Sequence, residues 1–70
     1  MYDVQSRING TVVDEEVCTS LGDAREGLDR RRRVLVNAGS TIVVEDLLQY
    51  VVAHTRHGWV TVMLIDGAGH

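Results

Sequence analysis

The sequence predicts a small single α+β domain. Its expected parts are a mainly antiparallel sheet of three to four strands with an N-terminal β-hairpin, one long amphipathic helix and a short one. Three observations point there. An Asn9-Gly10 pair separates two alternating segments, an apolar stripe at helical spacing runs from Val44 to Thr55, and 59–65 is apolar at nearly every position. The expected order is strand–strand–helix–strand–(strand)–helix–strand over 1–66, with 67–70 as a flexible C-terminal tail.

The hairpin comes first. Asn-Gly between alternating segments is a strong short-range hairpin signal, because a type I′ turn needs positive φ at both central positions. A two-residue loop pairs Ile8 with Thr11 and Arg7 with Val12, and so on outward. That register sends Tyr2, Val4, Ser6, Ile8, Thr11, Val13, Glu15 and Val17 to the core, and Asp3, Gln5, Arg7, Val12, Asp14 and Glu16 to water.

A short helix is expected at 21–30. Ser20 followed by Asp23 resembles an N-cap, and Leu21, Ala24 and Leu28 sit at helical spacing. Gly22 and Gly27 each cost roughly 1 kcal/mol against alanine inside it. Arg31 and Arg32 would fall on its apolar face, so it should end before them. Arg32–Val36 then reads as a strand and Asn37–Ser40 as a turn. Thr41–Val44 fits either a strand or the start of a helix.

The longer helix rests on Val44, Leu47, Leu48, Val51, Val52 and Thr55. Glu45 and Asp46 suit its first turn, Arg56 and His57 its last, and Gly58 its C-cap. Trp59–Ile65 reads as the final strand. Arg33–Gly67, read as strand, turn, helix "VEDLLQYV" and strand "VTVMLIDG", resembles part of a ubiquitin-like sulfur carrier. Such carriers act through a terminal Gly-Gly. Gly67-Ala68-Gly69-His70 stands here instead, so the resemblance implies no carrier activity.

Composition narrows the function classes. A chain of 70 residues, 44% hydrophobic and 24% charged, is globular in balance. A core this small supplies only about 3–5 kcal/mol, which favours a partner. One cysteine excludes an internal disulfide framework. No apolar run or leader pattern points to a membrane or to export, so no membrane partner is expected and a cytoplasmic location is. All seven basic residues are arginine, proline and phenylalanine are absent, and valine is abundant. That profile fits a GC-rich bacterium or a phage, in which case the cytoplasm is the host's.

Candidate chemistry is sparse. His54, His57, His70 and Cys18 offer one tight ligand pair, where zinc sites usually show two. Cys18 follows Asp14-Glu15-Glu16, which raises a thiol pKa, and reads as a small buried hydrophobe. Neighbouring carboxylates on a strand point to opposite faces, so 14–16 is no acid–base pair. Gly22 and Gly27 form no phosphate loop. No catalytic, metal or cofactor site is expected, and no enzyme.

Two features concern partners. Arg30, Arg31, Arg32 and Arg33 form a cluster of charge +4 in a chain of net charge −3. They read either as a solvated corner paired with Asp23, Glu26 and Asp29, or as a partner-binding patch for an acidic protein or for phosphates. The acidic remainder disfavours nucleic acid. The second feature is apolarity on both sides of a strand, with Val60, Val62 and Leu64 on one face of 59–65 and Trp59, Met63 and Ile65 on the other. Two-sided strands belong to sheets covered on both faces. Leu35, Trp59, Met63 and Ile65 are therefore expected to form an oligomer interface, with a homodimer as the symmetric solution.

The expected function is a small non-enzymatic protein-interaction module, a regulator or inhibitor that binds an unidentified protein's surface and self-associates. The alternatives are a nucleic-acid-binding regulator using Arg30–Arg33 and a structural subunit of an assembly such as a virion.

Overall fold

The computed structural model describes residues 1–46 and 49–67. The element order is β1 (Tyr2–Ile8), β2 (Thr11–Cys18), α1 (Leu21–Asn37), β3 (Thr41–Asp46), β4 (Tyr50–Thr55) and β5 (Gly58–Asp66). The strands form one antiparallel sheet in the order β2-β1-β5-β4-β3. The α+β class stands, with five strands and one helix among the described residues rather than three to four strands and two helices.

The first hairpin forms around Asn9 and Gly10, at φ 50° and 87°. Its register runs as expected for Ile8↔Thr11 and Arg7↔Val12, then slips at a bulge so that Ser6 faces Asp14 and Val4 faces Glu16. The bulge reverses the expected faces of the outer part of β2. Asp14 and Glu16 turn toward the helix, while Glu15 and Val17 turn away from it.

Ser20 caps α1 by accepting a hydrogen bond from the Asp23 N–H at 3.1 Å. The helix does not stop at residue 30 but runs through the arginines to Asn37, so 34–36 is helix and not strand. Arg31 is tolerated near the sheet because Asp14 and Glu16 meet it there, each at 2.8 Å. Gly27 lets the helix approach closely, since a Cβ there would lie 2.9 Å from Glu16 Oε1 and 3.6 Å from Val4 Cγ2. The chain leaves the helix through Gly39 at φ 82°.

The described residues of 44–57 form no helix. Thr41–Asp46 and Tyr50–Thr55 pair as strands, with Leu47 and Leu48 outside the described residues. β-branched side chains dominate both segments, and they lose rotamer freedom in a helix while fitting a pleated surface. Gly58, at φ 113°, serves the β4–β5 turn and not a helix cap. The sulfur-carrier order is thereby lost, since Arg33–Gly67 runs helix, strand, strand, strand. Of the expected tail, Gly67 donates its N–H to the Met1 carbonyl at 3.0 Å, and 68–70 lie outside the described residues.

The core lies between α1 and one face of the sheet. Leu28, Val4, Val51 and Val62 are its largest fully buried side chains, joined by Ala24, Val60 and Cys18. Opposed residues in an antiparallel pair share a face, so Val4–Leu64, Val51–Val62 and Ala53–Val60 all look toward the helix.

Candidate functional site

The other face of the sheet carries no element among the described residues. Strand pairing places on it Val17 and Glu15 of β2, Asp3, Gln5 and Arg7 of β1, and Trp59, Met63 and Ile65 of β5. Val12 of β2, Thr61 of β5, Tyr50, Val52 and His54 of β4, and Thr41, Val44 and Asp46 of β3 complete it. Val17, Val44, Tyr50 and Trp59 are exposed, Trp59 to 49%. Met63, Ile65 and Val52 are half-buried by their neighbours. An apolar expanse of this kind on a small protein marks an interaction site.

Three of the four residues expected at an interface lie together here. Leu35 does not join them. It packs against the core from α1, on the opposite side of the sheet, because the segment expected to be a strand is helical.

The polar residues of this face form a ladder along β1. Arg7 donates to Gln5 Oε1 through Nε at 3.3 Å and Nη2 at 2.9 Å. The Gln5 amide donates to Asp3 Oδ2 and to Glu15 Oε2, both at 3.1 Å. Asp3 is only 6% exposed, and its Oδ1 has no hydrogen-bond partner. A buried carboxylate oxygen without a partner carries a desolvation cost. The sequence reading placed these three residues on a face turned to water. The signal it missed is their order, an acid and a base separated by an amide on one strand face.

The arginine cluster is largely neutralised within the chain. Arg31 binds Asp14 and Glu16, and Arg32 binds Asp29 at 2.8 Å and Glu45 at 3.3 Å. Arg33 reaches Asp29 at 3.2 Å, and Arg30 lies 3.7 Å from Glu16. Only Asp29 among these partners was expected; the rest come from β2 and β3. Burial disfavours the Arg31 charge, but the hydrogen bonds it donates to Glu16 and Asp14 outweigh that and hold the guanidinium pKa above its ordinary value. The Arg32 hydrogen bond holds the Asp29 carboxyl below the usual carboxylate range. Arg30 and Arg33 keep exposed ends that an outside partner can reach.

The remaining candidates do not converge. Cys18 is buried, and burial first, then the Glu16 and Asp23 charges, push its thiol pKa up. A raised pKa leaves little thiolate for nucleophilic work. His54 packs edge-on against Trp59 at 4.9 Å between centroids, while His57 sits in the β4–β5 turn. His70 lies outside the described residues, and among those described no three His, Cys, Asp or Glu side chains form a metal-holding group. Asp14 and Glu16 share a face after all, because of the bulge, but both are bound to Arg31.

A cleft of about 530 Å³ opens between the end of α1 and the turns, over Ile8, Leu35 and Val60. Asn9 ties the two turns together beside it. Its N–H donates to the Trp59 carbonyl at 2.9 Å, and its Oδ1 accepts the Trp59 N–H at 3.1 Å. Among the described residues no helix is long and apolar enough to cross a membrane. Comparison with protein-family models, curated proteins and solved structures finds no match to this chain.

Proposed function

We propose that the chain is a non-enzymatic protein-interaction module, a small regulator or inhibitor whose working surface is the open face of the sheet. The observation that carries this reading is the two-sided strand β5. Its Val60 and Val62 are buried under α1, while Trp59 remains exposed on the other side, a face it shares with Met63 and Ile65 further along the strand. Burying a large apolar side chain stabilises by roughly 1.5–3 kcal/mol, so covering this face is a strong drive for association. Self-association is the form the reading takes first. The internal pairing of Arg31 and Arg32 with acids favours a protein over nucleic acid as the partner, because phosphates would compete for guanidinium groups already engaged.

The test compares wild type with Trp59→Glu, after circular dichroism shows that both unfold cooperatively. Wild type should self-associate in light scattering, and the variant should not. A variant that associates as well as wild type contradicts the reading. A DNA or RNA probe shifted by the protein at low salt, with an affinity falling steeply as salt rises, would favour the arginine cluster instead.

A further inference from the structure

We infer that the occupant of the open face is a second copy of this chain, related by a two-fold axis that crosses the sheet at Gln5 at right angles to the strands. The inference rests on the reading of that face as a self-associating docking surface, and adds the geometry by which the two copies dock.

The argument begins with charge. On the open face β1 reads Asp3, Gln5, Arg7, an acid and a base at equal distances from a central amide. Among the described residues neither charge has an ion-pair partner; Gln5 alone joins them. Asp3 is already shielded from water, and any surface that dries this face desolvates Arg7 as well; a desolvated charge without an opposite charge is strongly unfavourable. The occupant must therefore bring a cation to Asp3 and an anion to Arg7. Their separation is four residues of strand, about 13 Å. A half-turn about Gln5 brings the partner's Arg7 over Asp3 and the partner's Asp3 over Arg7. In a dried interface that attraction acts across several ångströms, so it does not require the covered Asp3 oxygen to emerge.

The same rotation keeps the strand order, so each strand stacks on its own copy, reversed. The row at the level of the axis is Glu15, Gln5, Met63, Tyr50 and Asp46, as the pairings Gln5↔Glu15, Gln5↔Met63, Tyr50↔Met63 and Asp46↔Tyr50 require. Met63 and Tyr50 then meet their own copies, Ile65 meets the partner's Thr61, and Trp59 lies one row further out, about 7 Å along the strand from the level of the partner's Ile65. Aligned sheets stack in this way about 10 Å apart. Five strands of six to nine residues, spaced about 4.8 Å apart and rising about 3.3 Å per residue, make a face roughly 24 Å wide and 20–30 Å long. That face offers up to about 700 Å² per chain, close to the ~800 Å² per partner of a stable interface. Glu15 and Asp46, on the two edge strands, are the residues of that row that meet a like charge.

The experiment uses charge reversal on the full chain, read by light scattering at micromolar concentration, with circular dichroism for folding. Arg7→Asp and Asp3→Arg should each dimerise at least about tenfold more weakly than wild type. Mixed one to one they should recover the dimer mass, because each supplies the charges the other lacks. Glu15→Gln should dimerise roughly two- to fivefold more tightly than wild type. If Asp3→Arg does not fold, Gln5→Cys in a Cys18→Ala background takes its place. Residue 5 lies on the axis and should link to its own copy through a short bis-maleimide. A mixture that stays monomeric, or a Gln5→Cys that does not link, overturns the two-fold geometry. If Met63→Asp still abolishes the wild-type association, the docking face survives that result. A wild-type dimer untouched by Met63→Asp sinks both. A wild type that stays monomeric at every concentration overturns the second copy as occupant.

Discussion

The two faces of the sheet are built from the same strands and differ in how their demands are met. On the covered face Leu28 of α1 closes over Val4, Val51 and Val62, all fully buried. The charges near that face find partners inside the chain, Arg31 with Asp14 and Glu16, and Arg32 with Asp29 and Glu45. On the open face Trp59 and Val17 stay exposed, and Asp3 and Arg7 are joined only through Gln5. One face completes its packing and its electrostatics within 70 residues. The other leaves both unfinished, which is the signature expected of a surface that acts on something outside the chain.

Adjacent residues of β5 give the sharpest way to break the comparison. Val62→Asp should unfold the protein, since an unpaired buried carboxylate costs several kcal/mol, on the order of a small domain's whole stability. Met63→Asp, one residue along, should leave a folded monomer. Thermal denaturation followed by circular dichroism separates them, and equal destabilisation by both would erase the distinction between the faces. A milder cut is Leu28→Ala, expected to cost about 2–5 kcal/mol in urea unfolding.

The arginines sharpen the same contrast. Arg31→Ala leaves Asp14 facing the helix without its cation and Glu16 with only the more distant Arg30, and should cost about 1–3 kcal/mol. Arg33→Ala, removing an exposed partner of Asp29, should cost no more than ~0.5 kcal/mol. If the two substitutions cost the same in urea, the half-buried position of Arg31 has no energetic meaning.

The turns are the next test. Gly10→Val should lose ~1 kcal/mol or more, because a β-branched residue resists positive φ. Gly58→Ala should lose more than Gly10→Ala. Both glycines have positive φ, but a Cβ at residue 58 would lie 2.6 Å from Asn9 Oδ1, whereas at residue 10 it meets nothing within 4 Å. The melting temperatures of the two alanine variants decide it.

The smallest effect concerns acid. Asp29 has a folded pKa below its unfolded one, because Arg32 hydrogen-bonds the carboxylate. Such a group adds stability above about pH 4 and loses it as the pH falls below that. Asp29→Asn should therefore flatten the acid limb of the stability–pH curve slightly and leave the neutral plateau nearly level.

These contrasts also explain what the sequence made legible. The first hairpin was readable because Asn9-Gly10 states its backbone requirement locally, and Ser20 marked the helix start in the same way. The far end of α1 was not readable. Arg31 looked wrong for a buried helix face because its neutralising partners, Asp14 and Glu16, lie across a bulge with no local signature. The segment 44–57 was misread because Val44, Val51, Val52 and Thr55 satisfy a helical stripe as well as strand alternation. In the fold Val51 and Ala53 point to the core, while Val52 and His54 point to the open face. The two-sidedness of β5 was visible from the start, and with it Trp59, Met63 and Ile65. The ladder Asp3–Gln5–Arg7 was not, because each residue alone fits an ordinary solvated strand face.

Trp59 is the only tryptophan of the chain and stands on the open face, so its fluorescence reports directly on whether that face becomes covered. The decisive measurement is acrylamide quenching of Trp59 across a micromolar concentration series, for wild type and for Arg7→Asp. Quenching of wild type should weaken as concentration rises and the second copy closes over the ring, while Arg7→Asp stays readily quenched throughout. Wild-type quenching that is strong and independent of concentration would contradict the claim that the open face is completed by another copy of this chain.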